Sequence, residues 1–195
     1  MSSKKTTKAA RGERRVEMMP LASIKPAARN PHGHDLGALH QSVGRFGFVE
    51  MPVLDERTGR IVAGHGRLET LLAMHAEHPD LPPEGVALGK GGTWLVPVTR
   101  GWSSRTDAEA EAYLLASNRT VELGGWDDVG LAEMLKELAT AGELSGTGYD
   151  GDDVDSLLAR LSAETVKASG TDLDEGIAGD VKMAECPKCG ERFAP

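Results

Sequence analysis

The sequence predicts a small α/β domain, and three observations carry that expectation. Short apolar runs of strand character alternate with segments of helical periodicity. One strand-to-helix unit is especially well defined. Ile61, Val62 and Ala63 form an apolar run, and Leu68, Leu71 and Leu72 recur at helical spacing after Gly64-His65-Gly66-Arg67. Finally, 195 residues of 39% apolar content suffice for one ordinary domain with tails, and hardly for two.

The elements follow in order. Residues 16–24 read as a first strand entering a polar turn, with Met18, Leu21 and Ile24 apolar and Pro20 interrupting. A Pro/Asn/His-rich loop spans 25–35. Asp35 then stands where a helix cap belongs, because Leu36, Leu39, Val43 and Phe46 keep one apolar face. Gly44 weakens that helix and Gly47 ends it. Residues 48–55 resume as a strand, Thr58-Gly59 turns, and the helix after Gly64 runs to about residue 77, before Pro79. Residues 87–92 form a glycine-rich loop, 93–98 a strand, and Thr106-Asp107 leads into an Ala/Glu-rich helix to about residue 118. Two further helices, 127–141 and 152–161, each open on aspartate, and Tyr149 is an apolar anchor in the loop between them. The expected organisation is a basic disordered arm at 1–15, the α/β domain at 16–126, a helical extension at 127–161, an acidic linker at 162–185 and a short tail at 186–195.

Charge distribution says more than the net -8. Residues 1–15 carry +5, residues 16–102 carry -1, and residues 103–185 carry -13. An acidic second half cannot track a phosphate backbone, so DNA contact would fall to the arm, the front half or a partner protein. No run approaches the length of a membrane span and no signal-peptide pattern opens the chain, so a cytoplasmic protein without membrane contact is expected.

The box Gly64-His65-Gly66-Arg67 has the chemistry of an anion site. Glycines let the backbone approach a ligand, and the first helical amides point outward at the positive end of the macrodipole. Arg67 adds a planar charged fork suited to phosphate oxygens, and His65 a group titrating near neutrality. The same four residues also suit a plain strand-to-helix turn, so neighbouring segments must decide between the two readings.

The order of motifs resembles the ParB/sulfiredoxin-like superfamily over residues 16–126. The resemblance rests on Ala28-Arg29-Asn30-Pro31, Phe46-Gly47 leading to Pro52-Val53, Gly64-His65-Gly66-Arg67-Leu68-Glu69, and Asn118-Arg119. Gly125-Trp126-Asp127 and Gly148-Tyr149-Asp150 extend it toward the stand-alone ParB-like proteins of phages and DNA-methylase operons. It implies a nucleoside triphosphate, with Mg²⁺, held by Gly64, His65, Gly66 and Arg67, with Asn118 and Arg119 on a second side. A helix C-terminal cap is the plainer reading of Asn118 and Arg119.

Departures limit what transfers. No helix-turn-helix follows residue 125, and the acidic helices there do not suit a DNA groove. The cysteine that sulfiredoxin chemistry requires is replaced by His65. Phosphotransfer or NTP hydrolysis, with His65 and Glu69 as catalytic groups, stays open, as does the nuclease activity often attached to the family. Asp35 and Asp55 are further acids to weigh, with a cap and a turn former as their plain readings. Lys25, Arg29, Arg45, Arg57 and Arg60 would favour DNA contact if they shared a face. Cys186-Pro-Lys-Cys189-Gly190 is half of a zinc knuckle, so Zn²⁺ would need further ligands, such as a second knuckle in a homodimer.

Overall fold

One strand, β5 (Trp94–Trp102), receives every other strand pairing of the main sheet except one in the computed structural model, which describes residues 12–169, 184–185 and 192–193. Its alternate residues Trp94, Val96 and Val98 are buried, the period-2 pattern of a strand with one face on the core. β1 (Arg15–Pro20) runs antiparallel along one side, pairing Val16 with Thr99 and Met18 with Pro97. β2 (Val53–Asp55) lies parallel on the other side, and β3 (Arg60–Ala63) pairs antiparallel with β2. The sheet is therefore mixed, in the order β1-β5-β2-β3, with the two-residue β4 (Ala87–Leu88) also on β5.

The helices form where their caps and periodicity direct. α1 (Leu36–Phe46) starts on Asp35, whose carboxylate accepts from the Ala38 amide at 2.9 Å, and stops at Gly47 with φ 78°. α2 (His65–Glu77) follows β3 directly and packs against α1. Val43 of α1 and Leu68 and Leu71 of α2 join Leu54, Ile61, Trp94, Val96 and Val98 in one buried core. Each such side chain contributes about 1.5–3 kcal/mol on burial. α3 (Asp107–Glu122), capped by Thr106, lies against β3.

α4 (Asp128–Ala141) is capped by Asp127 as expected. α5 (Gly151–Ser169) is capped by Asp150, two residues before the expected aspartate, through reciprocal 3.0 Å bonds between Asp150 and Asp153. α5 also continues to Ser169, into the stretch whose weak periodicity predicted a linker. The chain divides into two compact units, 1–154 and 155–195, within this helix. In the second, β6 (Ala184–Glu185) and β7 (Arg192–Phe193) pair antiparallel. Of the expected arm 1–15, residues 1–11 lie outside the described residues, as do 170–183 of the linker and Cys186 and Cys189, whereas Arg15 belongs to β1 and pairs with Arg100. The expectation of an α/β architecture holds, and no helix among the described residues is long and apolar enough to cross a membrane.

Candidate functional site

The turn from β3 into α2 depends on Gly64. Its φ is 87°, and a Cβ there would stand 2.9 Å from the Pro52 Cα, so a side chain is excluded by conformation and by space. The helical ladder begins with the Leu68 amide on the Gly64 carbonyl at 3.0 Å. The amides of His65, Gly66 and Arg67 thus remain outside the ladder at the positive end of α2. Gly66 is small for a different reason. A Cβ on it would come within 2.8 Å of both His34 and Leu39, so its bareness seats the 25–35 loop and α1 against the first turn of α2.

His65 is buried at 5% exposure, and its Nε2 accepts the Ala27 amide at 3.1 Å, which puts the ring proton on Nδ1. Burial lowers its pKa below the usual value, and neighbouring His34 lowers it further, against the opposing pull of Glu69. The neutral ring is therefore a fastener for the loop, with its Nε2 lone pair engaged. Farther along, Asn30 Nδ2 lies 3.2 Å from His34 Nε2, and the His32 and His34 rings stand 5.2 Å apart. His32 reaches α3, its Nε2 being 3.5 Å from Glu122. One loop thereby runs from the first turn of α2 to the end of α3.

Asn118 and Arg119 line a groove of about 380 Å³ with Pro31 and His32 of that loop. Asn118 Nδ2 donates to the Leu114 carbonyl at 3.0 Å, and Arg119 pairs with Glu122 at 3.0 Å on the surface. The loop, not a direct contact among the described residues, connects these two to the glycine box. Arg67 turns toward Glu50, 2.6 Å away and largely exposed, while Glu69 is exposed on α2. Asp35 is the α1 cap. Asp55 is wholly buried and fully used: it accepts from the Ser104 amide at 2.8 Å, the Ser104 hydroxyl at 2.7 Å, the Thr58 hydroxyl at 2.9 Å and the Arg57 amide at 3.2 Å. Among the described residues no three His, Cys, Asp or Glu side chains gather as a metal site would require.

The five basic residues do not share one face. Arg29, Arg57 and Arg60 line a common cleft, and Lys25 lies beside it through a β-bridge to Arg60. Arg45 instead fastens α1 to the α4–α5 loop, donating to the Glu143 carbonyl at 2.9 Å and pairing with its carboxylate. Sequence reasoning missed Ala27, His32 and His34, although the crowding of Asn30, His32 and His34 into one short loop was a visible signal. Comparison of the chain with protein-family models and with curated proteins gave no match.

Proposed function

We propose that the chain is a ParB-like nucleotide-binding protein acting in DNA-associated processes, with a ParB/sulfiredoxin-like domain over residues 16–126. The observation that carries this reading is the Gly64 turn. It leaves three amides outside the α2 ladder and sets them under a loop fastened to His65. In this reading the triphosphate lies against those amides with Arg67, and along the loop toward Asn118 and Arg119. Mg²⁺ carried on the phosphates would neutralise part of their charge, and Glu69 is the α2 carboxylate electrostatically felt by His65. Phosphotransfer or hydrolysis at the same place would call on a base, and the Nε2 of His65 is engaged by Ala27. Binding is therefore the reading favoured over turnover. DNA contact is assigned to the front half or to a partner, since residues 103–185 carry -13.

Calorimetric titration of the full chain with the common nucleoside triphosphates, with and without Mg²⁺ and duplex DNA, tests the proposal. Saturable binding of a triphosphate, not displaced by the parent nucleoside, is the expected result. Heats of dilution alone across the whole panel would end it.

A further inference from the structure

Arg29 of a loop, Arg57 of the β2–β3 turn and Arg60 of β3 line one cleft of about 420 Å³ between β3, the 27–29 loop and the first two turns of α3. Arg57 is fixed there from behind, its Nε donating to the Ser104 hydroxyl at 2.8 Å and its Nη2 pairing with Asp107 at 2.6 Å. Ser104 is in turn held by the buried carboxylate of Asp55. Arg29 forms a two-pronged pair with Glu111, at 3.0 and 2.6 Å. Arg60 differs from both. It donates one hydrogen bond, Nη1 to the Pro26 carbonyl at 2.8 Å, and makes no ion pair among the described residues. Two carboxylates thus answer two of the three arginines, and Arg60 is left without a carboxylate partner among the described residues.

The floor beneath is apolar, since Ile61, Val62 and Leu114 are each buried to 3% exposure or less. Arg57 Nη1, Arg60 Nε and Nη2, and Arg29 Nη1 make no hydrogen bond among the described residues, and the three residues line the same cleft. A planar carboxylate is matched by one guanidinium fork, whereas a tetrahedral oxyanion can accept from several directions at once. A monoester presents three terminal oxygens where a diester presents two, so it can accept from more of these free donors. We propose that this cleft is a phosphomonoester site, separate from the α2 amides and independent of what they bind. Its ligand is a small phosphorylated molecule or the 5′-phosphate end of a nucleic-acid strand.

Calorimetry on the full-length chain distinguishes these sources, using glycerol phosphate and one short oligonucleotide prepared with a 5′-phosphate or a 5′-hydroxyl. The site predicts saturable binding of glycerol phosphate, and Arg60→Gln should weaken it about tenfold or more. Glu111→Gln, which frees the Arg29 fork, should instead tighten it severalfold, an effect that a misfolded variant cannot imitate. If the 5′-phosphate oligonucleotide competes with glycerol phosphate and the 5′-hydroxyl form does not, the source is a strand end; if neither competes, it is a small molecule. No binding of glycerol phosphate or the 5′-phosphate end, or binding insensitive to both substitutions, would overturn the assignment.

Discussion

The amide of Ala27 donates to Nε2 of His65 over 3.1 Å, joining two residues 38 positions apart and fastening the 25–35 loop to the first turn of α2. Only the neutral ring accepts this bond. Protonation would break it and place a charge in a buried position beside His34.

A pH dependence follows. Because the folded-state pKa of His65 lies below its ordinary 6.5, the unfolded chain binds the proton more tightly. The stabilisation is complete above pH 6.5 and is lost as pH falls from there through the depressed folded value. Urea denaturation between pH 8 and 5 should show stability declining below about pH 6.5, and His65→Gln should flatten that decline. An unchanged slope in the variant would place its origin elsewhere.

Two glycine substitutions should act in opposite directions. Gly64→Ala forces a side chain onto φ 87° and toward the Pro52 Cα, and should destabilise by about 1–3 kcal/mol. Gly44→Ala lies in open space within α1 and should stabilise by about 0.5–1 kcal/mol. Equilibrium urea unfolding reads both; equal effects would contradict the Gly64 geometry.

What was legible in the sequence follows the range of the forces involved. α1 and its Asp35 cap could be read because both depend on residues within one or two turns. Gly64 could be read because the turn needs a residue able to hold a positive φ. β4 could not, since two residues become a strand only through their pairing with Leu95 and Trp94. Residues 48–52 carry an apolar pattern that suggested a strand, yet the Phe48 amide donates to the Glu84 carbonyl at 2.7 Å and ties its start to another loop. In the site, the glycine box was visible, whereas the seating of His34 on Gly66 and the pairing of Arg67 with Glu50 depend on contacts distant in sequence.

Acid should act through two carboxylates at the β2–β5 junction. Asp55 is pushed upward by burial, but its four hydrogen bonds outweigh this and hold its pKa below the usual range. Glu56 is drawn down to about 2, chiefly by the hydrogen bond from Arg100. Both depressed groups contribute stability above the ordinary carboxylate range, lost for Glu56 as pH falls from about 4.5 toward 2. Asp55→Asn places an amide donor among hydroxyl and amide donors and should cost about 1.5–3 kcal/mol at neutral pH. A variant as stable as the parent in urea would show that the network contributes little.

The central claim, that α2 begins at a phosphate site, is tested most directly at Arg67. Its partner Glu50 is largely exposed, so Arg67→Ala should cost no more than about 1 kcal/mol of stability. If Arg67 grips phosphate, calorimetric titration of the folded variant with the best-bound triphosphate should show affinity about ten- to a hundredfold weaker than the parent chain. Equal affinity in the two folded proteins would contradict a phosphate site at Gly64-His65-Gly66-Arg67.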